Sequence, residues 1–143
     1  YYLKRTSHGS TLSRIVHAQL AEMAQFHELS WQLYQEALYS DYRDIQGGTT
    51  AEGIHTGVMA ATIHVTLATY AGVDTRQNEL SICPNLPEHW QALAFQFIHQ
   101  GVTYQFSLTQ TSVTITADKD TQLLVQGALI PLTAERPKEV HYQ

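Results

Sequence analysis

The spacing of apolar residues changes period once along the chain, near residue 75. Before that point it is helical. Leu12, Ile15, Val16, Leu20 and Met23 recur at steps of three and four, the interval that lines one face of an α-helix. Ser13 is placed to cap this helix, because a hydroxyl can accept from one of the orphan N–H groups at a helix start. A second stripe, Leu29, Leu33, Ala37 and Leu38, has Trp31 and Tyr34 towards its edges, and a tight turn over 24–27 joins the two helices. The segment Asp44-Ile45-Gln46-Gly47-Gly48-Thr49-Thr50 has the glycines and hydroxyls of a loop. A third helix is predicted over 53–70, rich in small residues (Gly57, Ala60, Ala61, Ala68) and almost free of charge. A helix apolar on nearly every side is normally surrounded by protein, so neighbours from a larger molecule are expected around it.

After Gly72 the pattern becomes that of strands. Leu80 and Ile82 form a short one ended by Pro84, which cannot donate to a central ladder. Residues 94–99 lead through the turn signal Gln100-Gly101 into 102–108, which together predict a hairpin. Further short strands are predicted at 113–116, 123–125 and 128–130. Thr and Gln alternate with Val, Phe and Leu, so the expectation is an antiparallel sheet or sandwich with one wet face. The tail from Glu135 through Pro137 to Gln143 reads as polar and peripheral, and no internal repeat is visible.

Composition narrows the function classes. Eight Lys and Arg against 13 Asp and Glu give a formal charge of −5, which argues against a general nucleic-acid or membrane-surface binder. Local basic groups do occur: Lys4, Arg5 and Arg14 lie close together in sequence. The lone Cys83 excludes an internal disulfide framework, which fits a reducing compartment. No stretch reaches the roughly 18–20 apolar residues of a membrane span, and no charged-then-apolar leader is visible. The chain starts on Tyr1-Tyr2-Leu3 without methionine. The expectation is a soluble, cytoplasmic region of something longer.

Two segments carry the candidate chemistry. Thr6-Ser7-His8-Gly9-Ser10-Thr11-Leu12-Ser13 brings hydroxyls, a histidine and a glycine to the entrance of the first helix. First-turn N–H groups lack intrahelical acceptors, and the helix dipole leaves positive charge there. Hydroxyls of Ser10 and Thr11, with a close backbone approach at Gly9, would complete an anion site. An ordinary Ser-rich N-cap that binds nothing has the same composition. The second segment, Thr49-Thr50-Ala51-Glu52-Gly53-Ile54-His55-Thr56-Gly57, sets a histidine at the start of an apolar helix. His55 could donate to a phosphate or sugar oxygen, or simply satisfy a backbone carbonyl. Glu52 is a conceivable acid or base, and equally a first-turn carboxylate favoured by the dipole. The other histidines, His17, His27, His64, His89, His99 and His141, show no zinc-like spacing with Cys, Asp or Glu. Dinucleotide loops, P-loops and nucleophile elbows are absent from the sequence.

Three ordered motifs resemble the C-terminal region of glycoside hydrolase family 65, whose members include maltose, trehalose and kojibiose phosphorylases and some hydrolases. They are Thr6-x-His8-x-Ser10-Thr11-Leu12-Ser13; then Asp44-Ile45-Gln46 followed by Thr49-x-x-x-Gly53-x-His55; then Leu80-x-x-x-Pro84-x-Leu86-Pro87-x-x-Trp90. The resemblance covers residues 1–110 or so. It implies an α+β fragment: residues 1–74 as the last helices of an (α/α)6 catalytic barrel, and 75–143 as an antiparallel C-terminal β-sandwich. It also implies that Ser10, Thr11 and His55 hold an attacking inorganic phosphate, supported by His8, Gly9 and Gly53. The implied reaction is inverting phosphorolysis of an α-glucosidic disaccharide, in which phosphate takes the place of the water of an inverting hydrolase. The general acid is expected upstream, so this chain holds no catalytic residue and is inactive alone; Glu52 does not match the acid's position. Disaccharide, phosphate and the remainder of the parent enzyme are the implied partners, without nucleic acid, membrane, metal or a cofactor beyond phosphate, and a homodimer is the implied assembly. The sequence departs from the family's habit at Ala60-Ala61-Thr62-Ile63-His64, where a tryptophan is common, and at Tyr70-Ala71-Gly72, near a usual Gly-Phe-x-Gly run. A family 65 hydrolase, or a non-catalytic carbohydrate-binding module built on the sandwich, are the alternatives.

Overall fold

The computed structural model describes residues 12–43 and 53–142. The chain divides into two compact units, Tyr1–Thr66 and Leu67–Gln143.

In the first unit, α1 (Leu12–Met23) packs on α2 (His27–Leu38), and α3 (Thr56–His64) touches both. The contact face of α1 is Ile15, Ala18 and Ala21; that of α2 is Ser30, Leu33, Tyr34 and Ala37. Both sets follow helical spacing, and the small residues among them let the backbones approach closely. Burying a side chain the size of Ile15 or Leu33 contributes about 1.5–3 kcal/mol. An Arg14–Glu36 ion pair joins the same two helices. The predicted 24–27 turn is a Schellman closure. Phe26 N–H donates to the Ala21 carbonyl and Gln25 N–H to that of Glu22, both at 2.9 Å, with Gln25 left-handed at φ 62°.

The large apolar stripe on α1 does not form the contact. Leu12, Val16, Leu20 and Met23 are 45–74% exposed, and only Ile15 of the predicted set is buried. The neighbouring strip of small residues makes the contact instead. Nor is Ser13 a cap, since the helix already includes Leu12. His17 sits half-buried on the flank, its Nδ1 2.6 Å from the Ser13 carbonyl oxygen.

The third helix begins at Thr56 and widens into a π-helical turn over Val65–Tyr70. Val58, Thr62 and Val65 are buried, whereas Gly57, Ala60 and Ile63 are exposed. Thr66 Oγ1 donates to the Thr62 carbonyl at 2.9 Å and lies 2.8 Å from Tyr34 Oη, linking this helix to α2.

The second unit holds two four-stranded sheets, in the orders β1-β2-β6-β7 and β3-β4-β5-β8. The first contains β1 (Val73–Asp74), β2 (Ser81–Ile82), β6 (Thr121–Val125) and β7 (Ala128–Leu132). The second contains β3 (Leu93–His99), β4 (Val102–Leu108), β5 (Ser112–Ala117) and β8 (Lys138–His141). Pairing is antiparallel with one correction to the expected all-antiparallel arrangement: β2 runs parallel to β6, with Ser81 opposite Leu124. The tail is peripheral as expected and is also a strand: Lys138–His141 is a mostly exposed edge strand paired with β5, matching Val113 to Val140. The hairpin turns at Gln100-Gly101 and Gln126-Gly127 have positive φ at both residues, the type I′ geometry that suits strand twist. Along β4, Tyr104, Phe106 and Leu108 are buried while Gln105 and Ser107 are exposed, as a one-sided sheet requires. Phe106 stacks on its cross-strand partner Phe95 at 5.0 Å.

The motif ending at Trp90 is structural here. Trp90 packs edge-on against buried Tyr70 at 5.6 Å, and Asn85 N–H donates to the Tyr70 carbonyl at 2.8 Å. Gln110 Nε2 donates to the carbonyls of Pro87 and Trp90 at 3.0 and 2.7 Å. Beside β1, Arg76 donates to the Asp74 carboxylate with both backbone and side chain, which holds the Asp74 pKa down at about 2. Among the described residues, no helix is long and apolar enough to cross a membrane.

Candidate functional site

His55 is the predicted ligand that lies within the described residues, and the fold places it deliberately. It occupies the N-cap position of α3 with inverse γ-turn angles (φ −82°, ψ 76°), Thr56 N–H donating to the Ile54 carbonyl at 3.0 Å, and its own carbonyl accepts from Val58 and Met59 N–H at 2.9 and 3.1 Å. Its ring does not cap the helix. Gly53, two residues earlier, has φ +105° with nothing within 4 Å of where a Cβ would stand. Glycine is needed there for backbone direction and not for space, since any other residue would be strained by about 1–3 kcal/mol.

The imidazole is held instead by Asp41. One carboxylate oxygen, Oδ2, accepts the His55 backbone N–H at 2.9 Å; the other, Oδ1, lies 2.6 Å from Nδ1. An ionised carboxylate only accepts, so Nδ1 carries the hydrogen and Nε2 is the ring nitrogen left for a ligand. Among the described residues Nε2 has no partner. The His55 and Asp41 side chains are 26% and 15% exposed, so the pair is sheltered but reachable. A carboxylate at this helix start is also favoured by the dipole.

Asp41 owes its position to the end of α2. Tyr39 and Ser40 N–H donate back to Gln35 and Ala37, and Arg43 N–H to Tyr39 at 2.7 Å, so the chain continues in tight turns. Ser40 is fully buried, which pins the residue before Asp41, and the Arg43 guanidinium lies 4.8 Å from the Tyr39 ring centroid. Spacing along the chain gave no sign of Asp41, because its partner lies 14 residues away. The only local signal is an acidic residue just past the end of an amphipathic helix.

Ser10, Thr11, His8, Gly9 and Glu52 lie outside the described residues. Among the described residues no group of three or more His, Cys, Asp or Glu could hold a metal ion, and Cys83 is an exposed free thiol. Of the predicted site residues, His55 and Gly53 lie within the described residues, and His55 is in contact with Asp41.

Residues 1–64 match the glycosyl hydrolase family 65 central catalytic domain, and residues 73–130 match the family 65 C-terminal domain. The chain belongs to glycosyl hydrolase family 65. Trehalose 6-phosphate phosphorylase of Lactococcus lactis subsp. lactis is 41% identical over 121 residues, covering 84% of this chain but 16% of that protein. Kojibiose phosphorylase of Escherichia coli is 30% identical over 135 residues, covering 94% of this chain and 18% of the relative. A solved structure described as a kojibiose phosphorylase from the human microbiome shares the fold across the whole chain, with a TM-score of 0.85 at 22% identity, and this chain covers 21% of it. This family 65 chain thus spans about a fifth or less of the relatives it matches.

Proposed function

We propose that this chain is the C-terminal part of a family 65 disaccharide phosphorylase that holds the attacking phosphate, while the general acid resides elsewhere in the parent enzyme. The observation that carries it is the clamped His55. Its Nδ1–H is committed to Asp41 at 2.6 Å, which leaves Nε2 to accept from the P–OH of a hydrogen phosphate or, in the protonated ring, to donate to an unprotonated phosphate oxygen beside the start of a helix. The phosphorylase relatives, several of different disaccharide specificity by name, support the same reaction class. Ser10 and Thr11, immediately before α1 in sequence, are the proposed hydroxyl partners, with His8, Gly9 and Gly53 supporting them.

In this reading residues 1–74 contribute to an (α/α)6 barrel and 75–143 form a C-terminal β-sandwich. The exposed stripe Leu12, Val16, Leu20 and Met23, with Ile63 on α3, is the surface the remaining barrel helices would cover. Phosphate attacks the anomeric carbon from one face while the acid protonates the leaving oxygen on the other, giving a sugar 1-phosphate with inverted configuration. The whole enzyme is proposed to act in the cytoplasm as a homodimer, with inorganic phosphate as co-substrate.

Full-length parent incubated with an α-glucosidic disaccharide should release sugar 1-phosphate in step with phosphate consumed. Equal rates with and without phosphate, yielding only free sugar, would show a hydrolase instead. The present chain alone should give no turnover. Sugar 1-phosphate formation by it would contradict the division of the site.

A further inference from the structure

We infer that Asp41 is the positioning residue for His55, orienting the imidazole so that Nε2 faces the oxyanion. The assignment rests on His55 being a phosphate ligand and adds a residue to that site.

The geometry is more specific than a chance ion pair. Both carboxylate oxygens are used on one residue, at 2.9 Å from the backbone N–H and 2.6 Å from Nδ1. The backbone contact fixes where the histidine starts, and the ring contact fixes how it turns. A free imidazole rotates about two side-chain bonds and exchanges tautomers; a charge-assisted bond to Nδ1–H removes both freedoms. The same division of labour occurs wherever a carboxylate holds one ring nitrogen so that the other can act on a ligand.

Asp41→Asn separates the two contacts. Asparagine has one oxygen for two N–H donors, so either the His55 backbone N–H or Nδ1–H loses its acceptor, and a neutral amide no longer supports a protonated ring that donates from Nε2. In the full-length enzyme the kcat/KM for inorganic phosphate should fall by about 10–100-fold, while the KM for disaccharide at saturating phosphate stays within about twofold. Introduced into a His55→Ala background, Asp41→Asn should cost less than about twofold more, since its effect passes through the missing ring. Asp41→Glu, which retains a carboxylate, should recover part of the loss and serves in place of the asparagine variant if that one melts early.

Three outcomes overturn the assignment. If His55→Ala lowers phosphate kcat/KM but Asp41→Asn leaves it unchanged, His55 binds phosphate without help from Asp41. If the two losses multiply in the double variant, Asp41 acts by another route. If His55→Ala itself changes nothing, the phosphate reading of His55 fails and the positioning role falls with it.

Discussion

Replacing His55 by alanine in the full-length enzyme is expected to lower kcat/KM for phosphate by about 10²–10³-fold, the cost of losing one preorganised group at a developing or attacking charge. The effect should fall on phosphate and spare disaccharide binding, because the ring is not placed to reach both substrates through a single free nitrogen. Deleting it would also leave the Asp41 carboxylate, 15% exposed, without its ring partner. That second consequence predicts some loss of stability as well, of the order of 1–3 kcal/mol for an abandoned charged acceptor. Steady-state kinetics at varied phosphate separates the two, because a stability loss alone lowers the amount of active enzyme without moving the KM for phosphate. An unchanged phosphate KM with a matching loss of folded protein would reduce His55 to a structural role.

The largest stability effect is expected at Gly72. A Cβ there would stand 1.9 Å from the carbonyl oxygen and 2.4 Å from the carbonyl carbon of Cys83, and the backbone is already left-handed at φ +69°. Relaxation is blocked because Cys83 N–H donates to the Gly72 carbonyl at 3.0 Å, closing the β1–β2 pair. Gly72→Ala therefore combines a left-handed penalty with overpacking against backbone, together about 3 kcal/mol or more. For a unit of this size that corresponds to a melting temperature lower by about 10 °C or more. Calorimetry of the variant and the parent sequence side by side measures it, and a change smaller than about 2 °C would mean the strand pair shifts freely.

Much of the fold is legible in the sequence. The strand-like spacing read after Gly72 is where β1 begins, at Val73, and β4 and β5 follow the alternation of Thr, Gln or Ser with Val, Phe, Ile or Leu. What the sequence concealed has physical causes. On α1, Leu12, Val16, Leu20 and Met23 outweigh Ala18 and Ala21 in any hydrophobic pattern, yet the small residues make the α2 contact. A helix with apolar residues on two sides does not reveal which side meets which neighbour. The strands β1 and β2 have two residues each, too few for a period, so the parallel β2–β6 pair left no trace. At β8, Lys138 and Glu139 masked a strand, although charged residues are what an edge position favours. His55 was visible because a histidine opening an apolar helix is unusual. Asp41 was not, because only folding brings it to Nδ1.

The most direct test is a structure of the full-length enzyme with inorganic phosphate and a bound sugar. The account predicts a phosphate oxygen about 2.7–3.0 Å from His55 Nε2, with the Ser10 and Thr11 hydroxyls on the same ion and Asp41 still on Nδ1. Phosphate bound elsewhere, with His55 Nε2 turned to protein alone, would contradict it.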